Sequence, residues 1–156
     1  PGDVPGGADA AGDAVTGAAR ASVNPPEEHG ASGCREGTER AWKKVTCAVD
    51  CGIPVNPDVI KAQIEGGVGY GIGHAMRDEI TLTGGEVDQS NFPDYEPLRI
   101  GDIGAIETHI IASTEPPTGI GEPGTPPSAP ALANAIAASG QVIASLPMIN
   151  DGVSFA

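Results

Sequence analysis

Asn56 to Met76 reads NPDVIKAQIEGGVGYGIGHAM. Ile60, Ile64, Val68, Ile72 and Met76 recur in it at four-residue spacing, which predicts one apolar stripe along a helix. Asn56 suits the N-cap and Pro57 the first helical position, where a missing backbone N–H costs nothing. The same stretch holds Gly66, Gly67, Gly69, Gly71 and Gly73. Each glycine costs a helix about 1 kcal/mol relative to alanine. Either the helix breaks there, or something packs so close that side chains are excluded. Close approach of another backbone or a bulky ligand satisfies that condition, and tight helix–helix or helix–sheet packing does so equally well.

Outward from this stretch, helical and extended patterns alternate. Lys44 to Asp50 (KVTCAVD) is β-branched and alternating, a strand stopped by Gly52. Downstream, Glu79–Leu82 and Val87–Asn91 flank Gly84-Gly85, the signature of a hairpin. Phe92 to Pro97 (FPDYEP) is a proline-punctuated loop. Ala105 to Ser113 reads as a strand with Ile106, Thr108 and Ile110 on one face. Glu115 to Pro130 holds six prolines and is mostly loop. Pro127 to Ser139 follows as a helix with Gly140 as its stop, and Gln141 to Leu146 as a last short strand. The fold class is therefore α/β (mixed α+β).

Composition divides the chain near residue 41. Half of positions 1–40 are Gly, Ala or Pro, and Val4, Val15 and Val23 are their only branched aliphatics. Such a segment buries too little apolar surface to offset the ordering of its backbone, so disorder is expected for 1–40 and a folded unit for 41–156. The whole chain has 156 residues, 3% aromatics and a net charge of −13. A surface that acidic repels phosphate backbones, so no nucleic-acid partner is expected. No run approaches the ~18 apolar residues of a membrane span, and the first 40 residues lack a signal-peptide apolar stretch. Cys34, Cys47 and Cys51 miss the C-x-x-C spacing and are expected to be non-functional thiols. His29, His74 and His109 are scattered, so no metal-ligand set is expected.

Thr118 to Pro127, TGIGEPGTPP, is the segment best suited to chemistry. Glu122 stands alone there between Gly121 and Pro123, ahead of a helix. Flanking glycines and a proline can hold one carboxylate rigidly, as a general base requires. A solvated turn glutamate gives the same pattern. Gly119, Gly121 and Gly124 satisfy G-x-G-x-x-G, but Pro123 removes an N–H from the cradle and Glu122 repels a pyrophosphate. A dinucleotide site is not expected.

Four ordered motifs resemble one family: Asp50-Cys51-Gly52 with Asn56-Pro57, Gln63-Ile64-Glu65-Gly66-Gly67, Gly71-Ile72-Gly73-His74-Ala75-Met76, and Gly121-Glu122-Pro123. They are similar to the C-terminal part of the molybdopterin-binding large subunit of xanthine dehydrogenases and aldehyde oxidases. NFPDYEPLRI and GIGEPGTPPSAPALANAI are most like the isoquinoline 1-oxidoreductase beta-subunit and aldehyde dehydrogenase branch. The likeness covers about Lys44 to Pro147. One departure is Gly104, where the family's D-x-P-A-x-E stretch has proline, which would loosen the start of the following strand.

The resemblance implies the C-terminal half of a molybdenum-cofactor-binding domain. It implies that Glu122 is the catalytic base, and that Gln63, Gly66, Gly67 and Gly121 contact the molybdopterin, expected in its cytosine dinucleotide form. The glycines then serve to let the cofactor approach the backbone. The implied substrate is a small aldehyde or N-heterocycle that gains a water-derived oxygen, and the electrons pass to iron–sulfur clusters on a small partner subunit. Large subunits of the family are several times longer, so the chain is expected to act with further large-subunit domains and to be inactive alone. Localisation is expected to be cytoplasmic by default, or periplasmic if the chain follows that branch. The rival expectation is a non-catalytic remnant or an α/β binding module.

Overall fold

The computed structural model describes the backbone of residues 16–23 and 39–40 and of 42–155, with side chains from residue 44 onward. Strand β1 (Thr16–Val23), the short β2 (Glu39–Arg40) and β3 (Trp42–Asp50) precede helix α1 (Pro57–Met76). The hairpin β4 (Leu82–Thr83) and β5 (Glu86–Val87) follows, then two 3-10 turns at Phe92–Asp94 and Ile100–Asp102. Strand β6 (Ala105–Ile110), helix α2 (Ser128–Ala137), a 3-10 turn at Met148–Asp151 and β7 (Ser154–Phe155) complete the order. The main sheet runs β1-β3-β6, with β1 antiparallel and β6 parallel to β3. The mixed α+β class expected from the pattern is the class observed.

Helix α1 starts where its signals place it. The Asn56 side chain accepts from the amides of Asp58 and Val59, and Pro57 is the first helical residue. The helix runs unbroken through all five glycines. Its stripe explains why: Ile64, Val68 and Ile72 are fully buried, and Ile60 and Met76 nearly so. Burying such a side chain gains about 1.5–3 kcal/mol, more than each glycine costs. The stripe meets Val45, Cys47 and Val49, the inward face of β3, and Leu132 and Ile136 of α2.

Several local expectations are sharpened or corrected. The hairpin turn is Gly84-Gly85, with φ of +62° and +90°, values that disfavour any residue with a β-carbon. Gln141–Leu146 is not a strand. The Asp151 carboxylate accepts from the amides of Ala144 and Ser145 and from the Ser145 hydroxyl, so these amides are turned away from any ladder. The last strand lies later, at β7, parallel to β2. Within the segment 1–40, Thr16–Val23 lies as a strand antiparallel to β3, with a register shift between Ser22 and Val23. A strand can join a sheet through its backbone N–H and C=O groups alone, which apolar composition does not report. The disorder expected for residues 1–15 and 24–38 lies outside the described residues. Gly104 does not displace β6, which starts at Ala105 opposite Lys44.

Candidate functional site

The loop that carries Glu122 is fastened at both ends. Its first anchor is the turn after β3. Asp50 accepts the Gly52 amide, and Gly52 adopts φ +71° with the carbonyl oxygens of Glu115 and Pro116 crowding its α-carbon. A β-carbon there would stand 2.1 Å from the Pro116 oxygen, so only glycine fits. Ile53 donates its amide to Glu115 at 2.9 Å, and Thr118 donates to Cys51 at 3.0 Å. These bonds fix where the loop leaves the sheet.

The second anchor lies on α1. Thr125 N donates to the Glu122 carbonyl at 2.9 Å, closing a turn over Glu122–Thr125. Gly124 of that turn lies against Gly67, and a β-carbon on Gly67 would stand 3.2 Å from the Gly124 α-carbon. A β-carbon on Gly124 would meet the Ile64 carbonyl at 2.8 Å. The Thr125 hydroxyl donates to the Gly67 carbonyl at 3.1 Å, and the fully buried Ser128 hydroxyl donates to Gly124 at 2.7 Å. One turn further along α1, a β-carbon on Gly71 would meet the Thr125 carbonyl oxygen at 2.7 Å.

Candidate residues of both segments are neighbours in sequence of this crossing. Glu122 lies two positions before Gly124, and Gln63 lies one helical turn, about 5.4 Å, before Gly67. Both side chains are exposed, and neither makes a hydrogen bond or ion pair among the described residues. Gly66 and Gly121 are also exposed, and a β-carbon on either would meet nothing within 4 Å. Gly67 is different. The body expected to approach it was a cofactor, but Gly124 of the same chain takes that place, and Gly71 is likewise filled by Thr125 and Ser128. The glycine-rich helix is thus explained at these two positions by close packing of backbone on backbone.

The remaining sequence candidates supply no second site. Cys47 and Cys51 are buried free thiols, and burial pushes the Cys47 thiol up, away from the reactive thiolate. Cys34 and His29 lie outside the described residues. The His74 ring stands edge-on to Tyr70 at 4.2 Å, and His109 lies 3.3 Å from Glu107. No cluster of three potential metal ligands occurs among the described residues, and no helix among them is long and apolar enough to cross a membrane. The glycines at 119, 121 and 124 do not open a helix, since α2 begins at Ser128. The sequence pattern did not single out Thr125 and Ser128, and it marked Gly52 only as a strand stop and a motif member. The family-like Asp50-Cys51-Gly52 motif was the one signal that could have pointed to Gly52.

Comparison with known proteins gives the chain a family. A family model described as a molybdopterin cofactor-binding domain matches residues 35–104. Isoquinoline 1-oxidoreductase subunit beta of Brevundimonas diminuta is 37% identical over 106 residues, covering 67% of this chain and 14% of that protein. A membrane-bound aldehyde dehydrogenase of Gluconacetobacter polyoxogenes, whose name specifies pyrroloquinoline quinone, is 39% identical over 94 residues, 60% of this chain and 12% of its own length. Among solved structures, quinoline 2-oxidoreductase of Pseudomonas putida 86 superposes with a TM-score of 0.58 at 25% identity, over 71% of this chain and 15% of that one. The chain therefore spans about one-seventh or less of the length of these relatives.

Proposed function

With a chain that carries a molybdopterin-binding segment of the xanthine dehydrogenase and aldehyde oxidase family as the premise, we propose that it contributes the catalytic base and part of the cofactor contact to a molybdenum hydroxylase. The reading is supported by the crossing of the 122–125 turn over α1 at Gly67, one helical turn from Gln63, with Gly66 and Gly121 open. The residues there suit the cofactor. Gly66 and Gly121 leave room for a ligand to approach the backbone, and the exposed Gln63 amide offers both a donor and an acceptor. The Cβ side of Gly67 faces Gly124, so its contact with the cofactor would come from the half-exposed remainder of its backbone.

When bound, the molybdenum cofactor, in its cytosine dinucleotide form, supplies the two-electron redox chemistry, with iron–sulfur clusters on a partner subunit as the electrons' destination. Gln63 holds and orients it through the side-chain amide. Glu122 accepts a proton at a carboxylate oxygen as the nucleophile forms, and the fastened turn keeps that oxygen in position. The substrate class is a small aldehyde or N-heterocycle, in keeping with the names of the aldehyde, isoquinoline and quinoline relatives. Further large-subunit domains complete the pocket.

Glu122→Gln in the cofactor-loaded holoenzyme tests this. Glutamine keeps the volume but cannot take the proton, so turnover per bound molybdenum should fall by at least about 10²-fold, with molybdenum content unchanged by elemental analysis. Gln63→Ala should instead lower molybdenum content first. Retention of a tenth of the activity by Glu122→Gln would remove Glu122 from the role of base.

A further inference from the structure

We propose that Thr125 is the positioning residue for Glu122, acting through one hydroxyl hydrogen bond to helix α1. This rests on the reading of Glu122 as a base. Three observations carry it. The Thr125 amide closes the Glu122–Thr125 turn, so the position of Thr125 dictates the position of Glu122. The Thr125 side chain then reaches across 58 positions of sequence to the Gly67 carbonyl, at 3.1 Å. Gly67, Gly71 and Gly124 clear the space that this approach needs, since a β-carbon on any of them would press on the opposing segment.

The direction of control follows from what else holds Glu122. Its carboxylate makes no hydrogen bond or ion pair among the described residues, and residues 119–122 are exposed except for the half-buried Ile120. The turn is therefore placed by the Thr118–Cys51 bond and the Ile120 contact with the core on one side, and by Thr125 on the other. Gly124 supplies close contact there, packed against the backbone of Ile64, Gly67 and Val68. A directional hydrogen bond to one carbonyl fixes the register along the helix. Gln63 lies one turn from that carbonyl, so the same bond sets the base relative to the proposed cofactor contact. A misplacement of about 1 Å at such a site can cost 10²-fold in rate.

Thr125→Val keeps the branched shape and removes the donor, and Thr125→Ser keeps the donor. In the loaded holoenzyme, Thr125→Val should lower kcat by roughly 10–10²-fold, leaving KM within a factor of two and molybdenum content unchanged. Amides 121–125 of the full chain should exchange faster with deuterium in the valine variant. Thr125→Ser should restore both kcat and the slow exchange. The proposal is overturned if valine leaves kcat above half of wild type, or if serine fails to rescue a loss shared with thermal stability. Glu122→Gln in parallel separates the two ideas. Full activity in that variant removes the base, whereas amide exchange still reports whether Thr125 holds the turn.

Discussion

At the crossing of α1 with residues 122–128, the backbones lie so close that side chains are excluded, whereas the excursion at 79–103 between α1 and β6 buries no residue at all. The crossing is held by shape. Around it stand the fully buried Ile64, Val68, Ile72, Leu132 and Ile136. The excursion is held by polar side chains folded back on their own backbone. Thr81 donates its hydroxyl to Asp88, and Asp94 accepts from the Ser90 and Asn91 amides. Asp102 accepts from the Arg99 amide and from the Arg77 guanidinium at 2.5 Å. A site that must hold a base at a fixed place benefits from the first kind of construction, because close packing tolerates little displacement. A surface segment needs only the second.

The widest separation between the two regions should come from truncating a core side chain. Leu132→Ala leaves a cavity beneath α2 and should cost about 2–5 kcal/mol in denaturant unfolding. An effect below about 1 kcal/mol would mean that the core at the crossing collapses easily.

Glycines of a single helix sharpen the contrast. Gly71→Ala sets a β-carbon 2.7 Å from a backbone oxygen and should destabilise by about 1–3 kcal/mol despite alanine's better helix propensity. Gly66→Ala meets open space and should stabilise the chain by up to about 1 kcal/mol. If Gly66→Ala also lowers molybdenum retention in the holoenzyme, the open space is the cofactor's.

Acid should loosen the excursion before the crossing. Hydrogen bonds from Thr81 and Thr83 hold Asp88 below the usual carboxylate range. The Ser90 and Asn91 donors do the same for Asp94, and the Arg99 amide, with Arg77, for Asp102. A depressed native pKa gives stability that is complete above the ordinary value of about 3.9 and lost as pH falls through the depressed one. Burial raises Asp78 at the end of α1, which has the opposite sign: its contribution is retained in acid and lost as pH rises. Amide exchange across 81–102 should therefore quicken below about pH 4, while amides of α1 stay protected. Equal loosening of both regions would break the comparison. The smallest effect belongs to Phe92, which is 94% exposed. Phe92→Ser should change the stability of this chain by no more than about 0.5 kcal/mol.

Local physics was legible in the sequence. The start of α1 followed from Asn56 and Pro57, its buried stripe from four-residue spacing, and the hairpin from Gly84-Gly85, because caps, period and positive φ each act within a few residues. Glu122 could be nominated from its glycine and proline flanks and from the family likeness. Contacts made over long separations were not legible. The amides of Ala144 and Ser145 are claimed by Asp151, so pattern misjudged the strand expected there. The glycines of α1 announced close approach without saying by what, since a ligand and a backbone both require the same missing β-carbon. Tertiary structure assigned Gly67 and Gly71 to the 124–128 segment and left Gly66 open. It also revealed the Thr125 hydroxyl on the Gly67 carbonyl, a bond between residues 58 positions apart that no local pattern encodes.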